Sequence, residues 1–325
     1  MTVREMAEQA GVSPATVCRY LNNKNKVSAK LSNKINVVLE ANNFHPSSFS
    51  KTSNRLIGVS VPDLECGFYS DIMREIIDQA SNYNIQIIFL PTLENDKQSF
   101  QFMVKELKLD GIIFLEENVS VEVWNLLNEI QLKAVMCGSA SIGSHAAMVH
   151  INDLAAAYEG TRYLISLGHK KIAFLSDYPY AISVGFQRLA GCRKAMEEVN
   201  LEFNENLVRY SNVYYENGYS NIQDLLKNRF DFTAVFAFSD EMAIGAMNAL
   251  YDNGLRVPED ISVLGFDDLE IASRVRPALT TIHQPLKQIV KKTLDIIVSP
   301  DSNMDNSAIT LHCQVCERMS CRKIN

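Results

Sequence analysis

From residue 57 to residue 325 the chain alternates between near-continuous apolar runs and segments whose apolar positions recur at helical spacing. The runs are Ile57–Val61, Ile85–Leu90, Gly111–Leu115, Ala134–Cys137, Lys171–Leu175, Ala234–Phe238 and Ile261–Phe266. Each is strand-length, far below the roughly 20 residues that span a bilayer. Strands apolar on both faces and separated by helices predict parallel sheets in a doubly wound α/β architecture. Helices are expected over Tyr69–Tyr83, Asp153–Leu167, Gly185–Val199 and Glu241–Asn253. Seven or more such units over about 270 residues imply two lobes rather than one sheet. Ligands of open parallel sheets bind beyond the carboxyl ends of the strands. Two facing lobes would therefore form a cleft lined by the loops that follow those strands.

Residues 1–45 carry a different pattern. Val3, Met6, Ala7 and Ala10 share a helical face until Gly11 interrupts them, where a tight turn needs a residue tolerant of positive φ. Ser13 offers a hydroxyl N-cap and Pro14 occupies the first helical position, where its missing N–H costs nothing. Val17, Tyr20 and Leu21 then fall on one face, with Ala15, Thr16, Cys18, Arg19 and Asn22 pointing elsewhere. A third helix, capped by Ser28, turns Leu31, Ile35, Val38 and Leu39 inward. The pattern fits a helix-turn-helix, and it equally fits a plain three-helix bundle with a solvated face. In the first case the start of the second helix enters the major groove. Arg19 then reaches a guanine edge, and Ser13, Asn22 and the lysines around Lys30 hold phosphates.

Charge changes the weighing. The net charge of -7 argues against nucleic acid, but residues 1–57 hold eight Lys/Arg against three acids, leaving 23 bases and 35 acids for the rest. A basic head on an acidic body is the asymmetry of a DNA-binding appendage. The polar start, Met1 to Met6, lacks the apolar core of a signal peptide, so a cytoplasmic, nucleoid-associated protein is expected. Seven cysteines, odd in number and mostly inside apolar runs, suit reduced core thiols.

The run Thr2–Asn22 (TVREMAEQAGVSPATVCRYLN) resembles the opening signature of the lactose/galactose repressor (LacI/GalR) family, and Val27–Lys30 (VSAK) matches the start of its third helix. Further matches are Gly168–Leu175 (GHKKIAFL), Arg188–Gly191 (RLAG), Ser239–Ala246 (SDEMAIGA), Gly254–Asp268 (GLRVPEDISVLGFDD) and Pro277–Pro285 (PALTTIHQP), so the resemblance runs through almost the whole chain. It implies the fold of periplasmic sugar-binding proteins, with three crossovers between the lobes. The organisation expected is a helix-turn-helix domain at 1–45, a hinge at 46–56 and a two-lobed body at 57–325. One lobe takes about 57–152 with 284–302, the other about 153–283 with 303–325. The resemblance implies a homodimer, or a tetramer, on double-stranded operator DNA. A small effector, most simply a sugar, sits in the cleft and controls repression, with no membrane partner and no cofactor.

Residue by residue, the resemblance makes Pro14, Ala15 and Arg19 base-reading positions, with Ser13, Thr16 and Asn22 contacting DNA nearby. Cys18 stands where the family has Ser, and Leu31 and Ser32 where it has Thr-Arg, which removes one set of phosphate contacts. In the body, Asp267 follows a strand, and its carboxylate suits two vicinal hydroxyls. Asp268 is the better candidate to cap the next helix. Arg188 matches a sugar-contacting arginine, and Phe68, Tyr69 and Tyr219 match cleft aromatics, although aromatics are often plain core. Ser239 and Asp240 stand where the family has Asn-Asp, a shortened polar arm. Asn152 and Asp153 are weaker candidates, since Asp153 can simply cap a helix.

Other classes find less support. The spacing of His312, Cys313, Cys316 and Cys321 is metal-like, yet it alternates as a final strand would. A transporter's solute-binding protein would carry no basic head. An α/β enzyme needs a nucleophile or base beside its site, and no phosphate loop, G-x-S-x-G elbow or partnered histidine presents one. The link Ser47–Leu56 (SSFSKTSNRL) is serine-rich and about one helical turn short, so a reduced hinge helix is expected, with Phe49 as its one free apolar wedge.

Overall fold

The computed structural model describes residues 3–22, 27–41, 55–91, 97–139, 146–178, 184–299 and 307–324. The expected hinge and its Phe49 lie outside them, except that Arg55 and Leu56 open the first strand. The chain separates into two compact units, Met1–Arg55 and Leu56–Asn325.

The first unit has three helices, α1 (Val3–Ala10), α2 (Pro14–Asn22) and α3 (Ala29–Ala41). Gly11 makes the turn between the first two at φ +62, a conformation that costs glycine little. The Ser13 Oγ accepts the Thr16 N–H at 3.1 Å and so caps α2. Met6, Val17, Tyr20, Ile35 and Leu39 close the core, and the buried Tyr20 hydroxyl donates to Asn36 Oδ1, tying α2 to α3.

In the second unit, the first lobe is built on a sheet of β1 (Arg55–Val61), β2 (Ile85–Pro91), β3 (Gly111–Phe114), β4 (Ala134–Cys137), β5 (Ala147–Ile151) and β11 (Ala308–Leu311), in the order β11-β5-β4-β3-β1-β2. Helices α4 (Gly67–Ala80), α5 (Lys97–Glu106), α6 (Val121–Glu129) and α12 (Leu286–Val298) belong to it. The second lobe's sheet is β12-β10-β9-β8-β6-β7. Its strands are β6 (Ile172–Ser176), β7 (Val208–Tyr210), β8 (Ala234–Ala237), β9 (Ser262–Asp267), β10 (Thr280–His283) and β12 (Gln314–Cys316). With it go α7 (Asp153–Ser166), α8 (Val184–Glu197), α9 (Tyr215–Lys227), α10 (Asp240–Asp252) and the short α11 (Glu270–Arg274). The pairings β1–β3, β3–β4, β4–β5, β5–β11, β6–β7, β6–β8, β8–β9 and β9–β10 are parallel, and β12 runs antiparallel to β10 at a sheet edge.

The chain crosses between the lobes three times, in the short links β5–α7, β10–α12 and β11–β12. The last crossing corrects the expected division, which gave all of 303–325 to the second lobe. Ala308–Leu311 pairs in parallel with β5 in the first lobe's sheet, Leu311 opposite Ile151. The His312–Cys321 segment is likewise not one strand, because the chain changes sheets at residues 312 and 313.

Helices α9 and α10 approach closely enough that only glycine fits at their crossing. A Cβ on Gly245 would lie 2.0 Å from Tyr215 O, and one on Gly218 would lie 2.1 Å from Met242 O. Gly245→Ala should therefore destabilise the body by about 1–3 kcal/mol, more than offsetting the better helix propensity of alanine. Denaturant midpoints of the two proteins measure it, and an unchanged or higher midpoint would refute the close approach.

Candidate functional site

A cavity of about 560 Å³ lies between the lobes, lined by the loops that follow the strands of both sheets. Asp267, at the end of β9, is 5% exposed and lines it. Its backbone sits at φ +116, a region that a non-glycine residue occupies only when its surroundings force it, as happens at binding sites. Gln284 Nε2 donates to its Oδ1 at 2.7 Å, and no described residue donates to Oδ2. Burial raises the carboxyl to about 7 even though the Arg188 charge pulls the other way.

Arg188 reaches the same wall from α8. Its Nε donates to Asp153 Oδ1 at 2.8 Å, its Nη1 donates to the Phe238 carbonyl at 2.6 Å, and its guanidinium lies 3.6 Å above the Phe266 ring. The guanidinium is thus fixed in orientation on the cavity wall. Asp153 is therefore the buried counter-ion of Arg188, and the helix cap expected of it belongs to Asn152, whose side chain accepts the Ala155 N–H at 3.0 Å.

Phe68 and Tyr69, at the start of α4, line the cavity and pack edge to face at 5.5 Å between centroids. Ser239 lines it too, but its hydroxyl caps α10 through Met242 N and donates to the Val213 carbonyl, so both capacities are occupied.

Two expected ligand positions are not on the wall. Tyr219 faces out from α9, its hydroxyl donating to Asp252 at 2.9 Å, because its place inside the helix turns it towards α10. Tyr214, just before that helix, takes the cleft position and donates to Asp63 Oδ2 of the first lobe at 2.5 Å. Asp240 is fully buried, accepting from Leu269 N at 2.7 Å and from the Thr281 hydroxyl at 2.5 Å. Burial, and then the Asp267 charge, push its carboxyl well above the ordinary range. Nor does Asp268 cap α11. Arg318 and His283 draw its carboxylate away, and Asp240 takes the N–H of Leu269 instead.

The wall also holds residues the sequence did not single out, among them Glu116, Glu117, Asp177 and Gln284. Asp63, Glu116 and Glu117 follow β1 and β3, and Asp177 directly follows β6, so the strand-end rule was the signal available for them. Burial raises both Glu117 and Asp177, and the Asp177 charge adds to the effect on Glu117. Asp177 Oδ1 comes so close to Gly185, at the start of α8, that a Cβ there would stand 1.7 Å from it.

In the first unit, Ser13, Pro14, Ala15 and Lys30 are exposed and Thr16 is half-buried. Arg19 and Asn22 belong to α2, but their side chains lie outside the described residues. Among the described residues, no group of three His, Cys, Asp or Glu is placed to hold a metal, and no helix is long and apolar enough to cross a membrane.

Two family descriptions match the chain: bacterial regulatory proteins of the lacI family over residues 2–47, and a periplasmic binding protein-like domain over residues 161–321. The transcriptional regulator RegA of Clostridium saccharobutylicum is 31% identical over 291 residues, which make up 87% of each protein. The chain belongs to the LacI family. Catabolite control protein A of Staphylococcus epidermidis, another member, is 31% identical over 89% of each chain. Among solved structures, a LacI-family regulator of Enterococcus faecium with bound ribose matches at TM-score 0.74 and 25% identity, over 83% of this chain and 100% of the other. The lac repressor dimer bound to operator and an anti-inducer matches at TM-score 0.75 over 99% of both chains, and at 24% identity that likeness concerns the fold. As a LacI-family member, the chain is a DNA-binding transcriptional regulator with a ligand-binding body.

Proposed function

We propose that the first unit binds a palindromic operator as a homodimer and that a polyhydroxylated ligand, a sugar or sugar derivative, sets the operator affinity from the cavity of the second. One observation carries the ligand half: the strained, buried Asp267, to whose Oδ2 no described residue donates, lies on the wall that also bears the oriented Arg188. A carboxylate accepts two vicinal hydroxyls and a guanidinium donates to a third, which is how a polyol is held in one orientation. Phe68 and Tyr69 supply apolar surface for a sugar's C–H face. The solved structures of the Enterococcus faecium regulator with ribose and of the regulator CelR with cellobiose support the sugar class. Repression is the sense favoured by relatives such as the PurR repressors of Vibrio.

On DNA, Ser13, Pro14, Ala15, Thr16, Arg19 and Asn22 are proposed to meet the major groove, and Lys30 a phosphate. Gel shifts on DNA from upstream of the protein's own gene test this. Arg19→Ala should cost on the order of 1–3 kcal/mol and relax the preference at one base pair. Lys30→Ala should weaken binding to every sequence and flatten its salt dependence. If Arg19→Ala binds as tightly and selectively as the wild type, the recognition-helix assignment is wrong.

A further inference from the structure

We infer that the ligand of the cavity is a polyhydroxylated molecule carrying a protonated amine, its ammonium held between Glu117 of the first lobe and Asp177 of the second. The inference rests on the proposed function, since it concerns the same cavity. Five carboxylates line the wall, Asp63, Glu116, Glu117, Asp177 and Asp267, against one cationic side chain among the described wall residues, Arg188. Asp153, behind that wall, already takes up the arginine's charge at 2.8 Å.

Two of the five have donors from the protein close at hand. Asp63 accepts from Glu65 N at 2.7 Å and from Tyr214, and Glu116 accepts the Ser60 hydroxyl at 2.5 Å. The other three also accept from the protein, but a carboxylate has about four lone-pair sites, and among the described residues each keeps capacity for a ligand. Glu117 receives the Val184 N–H only at 3.4 Å, and Asp177 takes backbone bonds from Gly185 and its own N–H, with the Ser176 hydroxyl at 3.5 Å. Asp267, nine-tenths buried, accepts from Gln284 at one oxygen, and no described residue donates to the other.

Like charges gathered in a half-desolvated space repel, and the cost is relieved either by taking up protons or by binding a cation. A neutral sugar leaves that repulsion standing, and a phosphate or carboxylate adds to it. An ammonium removes it with charge-assisted hydrogen bonds. Because Glu117 and Asp177 belong to opposite lobes, the same cation turns a repulsion across the cleft into an attraction to both sides. The ligand's charge therefore favours the closed arrangement, which is how a bound molecule shifts an equilibrium between two forms.

Matched sugar sets test this on the full-length protein by thermal shift and calorimetry. Glucosamine and galactosamine are each compared with the parent hexose, the N-acetyl derivative and the 6-phosphate. In at least one set the amine should bind on the order of ten-fold tighter than its neutral and N-acetyl counterparts, with the phosphate weakest. The Glu117→Gln/Asp177→Asn double variant should erase that preference. Equal binding across every set, no binding by any amine, or an amine preference that survives the double variant overturns the inference. Binding of a neutral hexose that Asp267→Asn abolishes, with no amine preference, overturns the amine while leaving the polyol reading intact. Hexose binding untouched by Asp267→Asn overturns that reading as well.

Discussion

Arg188→Met should destabilise the body by about 3–5 kcal/mol, because it strands a buried carboxylate. The arginine and Asp153 side chains are 9% and 8% exposed, and each is the other's charge partner at 2.8 Å. Methionine keeps much of the stem's volume over Phe266 but leaves the Asp153 carboxyl without its partner and the Phe238 carbonyl without its donor. Removing both charges should be milder. The Arg188→Met/Asp153→Leu protein no longer strands the directly paired carboxylate, so part of the lost stability should return, the remainder reflecting the arginine's charge lost to Asp267 and Asp177. Denaturant midpoints of the wild type, Arg188→Met, Asp153→Leu and the double variant give the coupling directly. The double variant should also lose its thermal response to ligand, which separates the arginine's part in folding from its part in binding. A single variant within about 1 kcal/mol of wild type would show that the pair is weakly coupled.

Asp267→Asn should make the unliganded protein more stable at pH 8, by an amount on the order of a few kcal/mol. The folded carboxyl titrates at about 7 against an ordinary value of 3.8, mainly because it is buried. A group whose pKa is raised by folding contributes stability below its unfolded pKa and loses it as pH rises through the folded one. At pH 8 the penalty is fully present, and lowering the pH to about 6.5 should relieve part of it, so wild-type Tm rises on acidification. Burial raises Glu117, Asp177, Glu241 and Asp240 in the same sense. His169 opposes them below its ordinary value of 6.5, because burial lowers it. The asparagine keeps an oxygen for the Gln284 amide but cannot ionise, so its Tm should be higher at pH 8 and change less between pH 8 and 6.5. A wild-type Tm that falls over that interval would contradict the assignment.

The architecture was legible wherever one chemistry dominated a segment. Runs such as Ala234–Phe238 and Ile261–Phe266 announced buried parallel strands, and the Ser13–Pro14 pair announced a helix start that the structure places there. Strands β5 and β10 escaped for opposite reasons. Burial alternates along β5, and its apolar run is short, whereas β10 buries Thr280 and Thr281, whose hydroxyls are satisfied by Arg318 N and Asp240 rather than excluded. Strand β7 is three residues long at an edge, too short for a periodic signal.

Within the site, Asp267 and Arg188 could be read from motifs, but the acids around them could not. Glu117 and Asp177 sit 60 positions apart in sequence, and only the facing of two sheets puts them on one wall. Tyr219 and Tyr214 differ by little more than one helical turn, so telling the cleft residue from the packing residue requires knowing where α9 begins.

The three interlobe links leave β5 and β11 side by side at one edge of the first sheet, and β10 and β12 side by side at one edge of the second. Three short tethers gathered along one margin act like a door hung on several pins. Links so placed resist sliding and twisting more than swinging, which opens and shuts the gap on the far side. Whatever occupies the gap reports chiefly by setting the angle of that swing. Two molecules of unrelated chemistry that prop it equally would send the same message, and a bulky analogue that seats against one lobe but jams the swing would bind without signalling.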